Sequence, residues 1–294
     1  MHMLPKGAVR AAALVLAAAI TASPGQAHGV IGQRFFPATI ATDDPFAADE
    51  LAFPTVSWFD HETDVDFDYS KTILPGFAIE VGMGHVNAHE PGEPHARGFD
   101  NLEISPSVEA YRNPAHEFIL TTGLEWSVGG IGSRSIAERS STYTPTVKFG
   151  KGFGDLPDSL KYLRPLAVTG TVGYAIPGGG DEPKSIEWGG AIEYSLLYLQ
   201  NNVRDEGLGR FVSHLTPIVE FAFSSPTRSG AGLTTGTINP GLIWSGQRLQ
   251  LAAEAMIPLN RASGNGTGFI AQLHFYIDDL FPHSLGRPIF GGRQ

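Results

Sequence analysis

Side chains along this sequence alternate between two chemistries, and a period of two fits a β-strand, whose successive residues point to opposite faces. The pattern is plain at Phe77, Ile79, Val81 and Met83, which are separated by Ala78, Glu80, Gly82 and Gly84. It returns at Leu102, Ile104, Val108 and Ala110, set against Asn101, Glu103, Ser105, Ser107 and Glu109. A soluble sandwich or lipocalin-like barrel also alternates, but its non-core face meets bulk water and usually carries lysine, arginine and threonine in quantity. Here that face is mostly glycine, alanine, serine, threonine and glutamate, with Lys148 as the clearest cation, which suits a confined interior. Strands of this kind face lipid on one side and a polar lumen on the other.

Alternation and turn residues together predict strands near 54–59, 64–72, 76–86, 99–112, 116–129 and 142–150. Six more follow near 161–176, 185–199, 211–224, 234–245, 247–258 and 267–278. The expected fold is therefore an all-β, antiparallel, up-and-down transmembrane barrel of twelve strands, an even number as in bacterial outer-membrane barrels. Ten or fourteen strands stay open, because the first strand is short and 151–160 is ambiguous. Short turns at Ile73-Leu74-Pro75, Asn113-Pro114-Ala115 and Ser245-Gly246-Gln247 alternate with longer loops at 86–98, 129–141, 177–184, 225–233 and 259–266. Short periplasmic turns and longer outer loops are the expected asymmetry, which puts both termini on the periplasmic side. Two connections on the short side, Lys151 to Leu160 and Gln200 to Arg210, are longer than the scheme predicts. Trp58, Trp126, Tyr162, Tyr174, Trp188, Tyr198 and Trp244 fall near strand ends, where interfacial aromatic girdles sit.

Before the strands, Lys6 and Arg10 precede an apolar run from Ala11 to Ile20 and a small-residue end at Gly25-Gln26-Ala27, the pattern of a cleaved secretory signal over 1–27. The run is too short for a membrane-spanning helix, which takes about 20 residues. The organisation expected is signal 1–27, a periplasmic segment or plug at 28–52, a barrel over 53–278 and a periplasmic tail at 279–294. In 294 residues there is no cysteine, so disulfide scaffolds, thiolate metal sites and cysteine nucleophiles are excluded. A net charge of −10 argues against a nucleic-acid partner.

The final hairpins carry Thr237-Ile238-Asn239-Pro240-Gly241-Leu242-Ile243-Trp244, then the strand with Ala253-Glu254-Ala255, then Phe269 to Ile277. Over about the last third, the chain resembles the outer-membrane family named for the meta-pathway of phenol degradation. That resemblance implies a small-molecule channel or transporter, related in style to hydrocarbon uptake channels. Many outer-membrane barrels end on an aromatic residue read by the barrel-assembly machinery. This chain instead runs past Phe275 and Tyr276 to Gln294. Its tail, with Phe281, Leu285, Ile289 and Phe290, is expected either to plug the periplasmic mouth or to lie at the periphery.

If the parity holds, Glu80, Glu103, Glu109, Glu125, Glu187, Glu193, Glu220 and Glu254 point inward with Lys148. Read functionally, they line a lumen that favours cations or neutral hydrogen-bonding solutes, aromatic ones among them. Read structurally, they belong to a hydrogen-bonded filling of a narrow barrel. His85, His89 and His95, with Glu90 and Glu93, are weak metal candidates in a loop without a fixed ligand spacing. His28, if it becomes a mature N-terminus, pairs an amine with an imidazole, but no partner histidine is identifiable.

A lipid-facing serine hydrolase needs serine and histidine two apart on one strand face. No such step occurs: Ser213-His214 would place the pair on opposite faces, and His283-Ser284 lies in the tail. No cofactor is implied. The expected function is passive passage of a small solute across the outer membrane, with membrane lipid, the solute and the assembly machinery as partners. The alternatives are a closed barrel whose outer loops bind a partner, ligand or metal, and a lipid-modifying enzyme.

Overall fold

The computed structural model describes residues 29–89, 92, 94–179, 183–228 and 231–291. The expected signal at 1–27, His28, Glu90 and Glu93 lie outside them. Two short strands, β1 (Val30–Ile31) and β2 (Arg34–Phe35), form a hairpin. The wall follows as β3 (Glu50–Phe59), β4 (Glu62–Leu74), β5 (Phe77–Ala88), β6 (Ala96–Phe99) and β7 (Leu102–Asn113). It continues with β8 (Phe118–Val128), β9 (Thr142–Gly152), β10 (Leu166–Pro177) and β11 (Ser185–Tyr194), and ends with β12 (Leu215–Pro226), β13 (Thr235–Ser245), β14 (Leu249–Pro258) and β15 (Gly268–Tyr276).

Each wall strand pairs antiparallel with its sequence neighbour, and β6 and β7 share the edge of β5 as one interrupted strand. Pairing of β15 with β3 closes the sheet into a barrel of 12 strands. Closure leaves no open edge, so backbone donors and acceptors are satisfied within the wall, as a lipid environment requires. Among the described residues no helix is long and apolar enough to cross a membrane.

Local chemistry explains the turns. Asp60 and His61 both take positive φ, the geometry of a tight hairpin between β3 and β4. Pro75-Gly76 makes the next turn, with Gly76 at φ +74°, where a side chain would be strained. The first strand begins at Glu50, earlier than the predicted 54–59, because residues 50–52 pair with 68–70 ahead of Pro54, which has no N–H to donate and interrupts the ladder. The pairing shifts between Ala52 and Thr55, and the strand resumes on both sides of that irregularity.

The alternation also overreaches at the lower end, where the termini lie. Residues 158–163 form a short helical turn, so β10 begins at Leu166 rather than near 161. The strand predicted to 199 stops at Tyr194, because Ser195 accepts a hydrogen bond from Tyr198 N and starts a helical segment over 196–203. Residues 210–213 are helical as well, so β12 begins at Leu215 rather than near 211. These helical stretches account for the two connections that looked too long.

On the outside, Val172, Ile192, Leu242 and Leu251 are exposed apolar side chains of the wall. Inside lie two small apolar clusters, absent from the sequence reading: Ile31, Phe36, Ile119 and Ala167 with Phe46, and Ala191, Ile218, Ile243 and Ala252 with Ile40. In each, wall residues meet residues from before β3.

Candidate functional site

The segment from Gly29 to Asp49 enters the barrel from below and fills its lower lumen. Its hairpin forms the floor, where the buried Arg34 guanidinium donates to Glu117 Oε2 at 3.3 Å, to the carbonyls of Pro165 and Leu166 at 2.8 and 3.1 Å, and to that of Arg164. One face of Arg34 lies 4.0 Å from the centre of the Tyr198 ring. Burial, and then the adjacent Glu117 carboxylate, push the Tyr198 phenol up to about 12, so it remains a donor to Glu117 Oε1 at 3.1 Å. Tyr198, expected in the aromatic girdle, is thus a buried floor residue, because the helical turn at Ser195 turns it inward.

From the floor the chain rises. Phe36 and Pro45 pack at Gly150, where any Cβ would stand 3.2–3.3 Å from both, so glycine there makes room for the plug. Gln250 Nε2 donates to the Ala38 carbonyl at 2.7 Å. Glu220 then holds the apex: its carboxylate accepts from Ile40 N at 2.7 Å, Ala41 N at 3.0 Å and Thr42 Oγ1 at 2.8 Å. Asp43 pairs with Lys148 at 3.2 Å, and on the way down Thr121 Oγ1 donates to the Pro45 carbonyl. Ala47 N donates to Glu109 Oε1 at 3.1 Å, and Asp49 accepts from Lys71 at 2.6 Å and from Thr72 N at 2.8 Å.

Above the apex a cavity of about 540 Å³ remains. Asp43, Asp68, Glu80, Glu103, Glu125 and Glu187 line it, and Lys148 is the only lysine or arginine among its described lining residues. Lys148 lies 3.6 Å from Glu125, and Glu187 accepts from Ser185 and Ser224 at 2.5 and 2.8 Å. A second cavity, of about 370 Å³, is lined by Asp64, Asp66, Asp68, Asp100 and Glu103 and by no described lysine or arginine.

The structure therefore divides the candidate glutamates. Glu80, Glu103, Glu125 and Glu187 face the open cavity with Lys148. Glu109 and Glu220 are spent on the plug, while Glu193 is buried in the wall away from the open cavity, and Glu254 lies beside Glu220 and Asn239. The row Asp64, Asp66 and Asp68 escaped the sequence reading, although the run Asp64-Val65-Asp66-Phe67-Asp68 alternates strictly. The inward pair of Glu50 Oε2 and His274 Nε2, 2.7 Å apart, was missed too. Its carboxylate precedes the strand start that the sequence predicts.

The loop expected at 86–98 is shorter, because residues 85–88 pair with 96–99. The 129–141 loop leans on that extension through Ser133 N to the Phe99 carbonyl at 2.7 Å and Asn101 Nδ2 to the Glu138 carbonyl at 3.1 Å. His85 lies edge-on to Phe99, His89 faces His95 with ring centres 5.5 Å apart, and His95 contacts Asn87 Oδ1 at 2.5 Å. Among the described residues no group of three or more acidic or histidine side chains is arranged to hold a metal ion.

Ser213 and His214, expected on opposite strand faces, instead sit at the end of a helical turn with Oγ and Nδ1 3.3 Å apart. Nδ1 also meets the Arg210 carbonyl at 2.7 Å, an acceptor that requires it to carry a proton. A protonated Nδ1 does not serve as the base for Ser213. Nor do the described tail residues, 279–291, form a plug. Ile289 N and Phe290 N donate to the carbonyls of Thr72 and Ile73 at the lower end of β4, and Phe281, Leu285, Ile289 and Phe290 stay exposed.

A closed antiparallel wall, apolar outside and charged within, defines a transmembrane β-barrel of the outer-membrane type. Among solved structures the chain is similar to the KdgM porin, at 13% identity and a TM-score of 0.50, covering 77% of this chain and 98% of that one. It is also similar to the NanC porin at 10% identity and 0.48, covering 78% and 98%, and to outer membrane phospholipase A from Escherichia coli at 8% and 0.41, covering 80% and 93%. The KdgM likeness establishes a porin-type barrel fold. No family model and no curated protein matches the chain.

Proposed function

We propose that this barrel is an outer-membrane channel for passive passage of small solutes, selecting cations and neutral hydrogen-bonding molecules and performing no chemistry on them. The observation that carries this reading is the cavity above the plug, where Asp43, Asp68, Glu80, Glu103, Glu125 and Glu187 surround Lys148. Carboxylates held within low-dielectric walls focus a negative potential that concentrates cations and repels anions. The hydrogen-bonded plug makes this a channel whose resting passage is narrow, and the segment from Gly29 to Asp49 is its gate. The arrangement of Ser213, His214 and Arg210 supports a role without catalysis.

Refolded protein in a planar bilayer under a salt gradient tests the reading. Discrete steps with a cation-selective reversal potential are expected. Replacing Glu80, Glu103 and Glu125 together by glutamine should move that potential toward the non-selective value. A conducting barrel whose selectivity ignores all three would refute their assigned role.

A further inference from the structure

The segments that leave the wall at its lower end share a property that the channel does not use: they hold large apolar side chains outward. Tyr162 and Leu163 are exposed on the helical turn at 158–163, and Phe211 is 65% exposed on that at 210–213. Phe281, Leu285 and Phe290, the last 63% exposed, extend from the tail. Each segment is fixed to the lower end of the wall. Tyr194, at the end of β11, donates to the Tyr162 carbonyl at 3.0 Å. Phe211 stacks on Trp244 of β13, with ring centres 5.9 Å apart. Phe290 N donates to the Ile73 carbonyl at 2.9 Å, and Lys71 caps the carbonyls of Leu285 and Arg287 at 2.8 and 2.7 Å.

We propose that these segments form an in-plane lipid anchor, lying in the headgroup and acyl boundary of the leaflet at the lower end of the barrel. The occupant follows from continuity: Trp244 and Ile73 belong to the wall, and the exposed apolar side chains of the segments adjoin them. Aromatic and aliphatic side chains on short, firmly held segments bury well in that boundary, where backbone polar groups still reach water. The helical turns thus replace part of the aromatic girdle that strand ends supply elsewhere. Lys161, beside Tyr162 with Nζ 5.4 Å from its ring centre, is placed to reach lipid phosphate while its stem stays in the boundary. This inference rests on the membrane reading of the barrel and not on conduction.

The sequence contains no cysteine, so single spin labels can be placed without other changes. Phe211→Cys, Leu285→Cys and Phe290→Cys are labelled in protein reconstituted into phospholipid vesicles, with Ile186→Cys as a wall control and Asp205→Cys as a water control. Accessibility to oxygen, which partitions into lipid, is compared with accessibility to a water-soluble nickel chelate. The anchor predicts that all three test labels favour oxygen, as Ile186→Cys does, and that Asp205→Cys favours nickel. Test labels behaving like Asp205→Cys while Ile186→Cys still reports lipid would overturn the anchor alone. Labels shielded from both reagents in a species of dimer mass would assign the surface to a second copy and also overturn it. An Ile186→Cys label that favours nickel would overturn the membrane reading, and the anchor with it.

Discussion

Arg34 concentrates the floor's chemistry in one side chain. Its planar, forked donors meet Glu117 and the carbonyls of Arg164, Pro165 and Leu166 while its face covers Tyr198. A point charge on a flexible stem does not span that set, so lysine is a poor substitute. Arg34→Leu leaves the buried Glu117 carboxylate without its cation and strands three carbonyls, at a cost of about 3–5 kcal/mol. Urea unfolding in detergent should show that loss, and Arg34→Lys should recover less than half of it. Lys148 is the complementary case. Lys148→Met removes the only lysine or arginine among the described cavity-lining residues, so reversal potentials should shift further toward cation selectivity. An unchanged reversal potential would mean that Lys148 does not sit on the conduction path.

Among the elements, the plug apex is held mainly by one strand. Glu220 on β12 satisfies two backbone N–H groups and a hydroxyl of residues 40–42, and a hydrogen bond to a charged group contributes about 1.5–3 kcal/mol. Glu220→Ala should therefore free the apex and raise unitary conductance or open probability. Glu187→Gln, whose parent carboxylate is bonded to Ser185 and Ser224 rather than to the plug, should alter selectivity with little change in gating. Equal conductance in the wild type and Glu220→Ala would show that the apex does not limit flow. The strands themselves were legible because parity is local: each apolar residue reports its own face. The inward direction of Glu80, Glu103 and Glu125 follows from it directly. What parity does not encode is the end of a strand where Ser195 caps a helical turn, or the continuation of β3 past Pro54. The path of residues 36–49 was illegible for another reason. Their contacts with Gln250, Glu220 and Lys148 are long-range, and a segment without periodicity carries no sign of which wall it will meet.

Across the whole molecule the division between wall and filling sets how the barrel should respond to losing its plug. The wall closes through backbone hydrogen bonds between neighbouring strands, none of which involves residues 29–47. The filling contributes Ile31, Phe36, Ile40 and Phe46 to the two inner apolar clusters, so its removal exposes Ile119, Ile218 and Ile243 to lumen water. It also strips Glu109, Glu117 and Glu220 of partners. A chain deleted for residues 29–47 should accordingly still close, with the compact electrophoretic mobility of an unheated barrel, and yet convert to the extended form at a lower temperature than the full chain. Its conductance should exceed that of the full chain, because the lower lumen is emptied while the wall carboxylates Asp68, Glu80, Glu103, Glu125 and Glu187 stay in place. A deletion variant that never reaches the compact form would mean that the inner clusters nucleate closure and that the plug is core rather than gate. A compact variant with unchanged conductance would move the narrowest point to the upper loops, where 129–141 leans on the extension of β5 and β6.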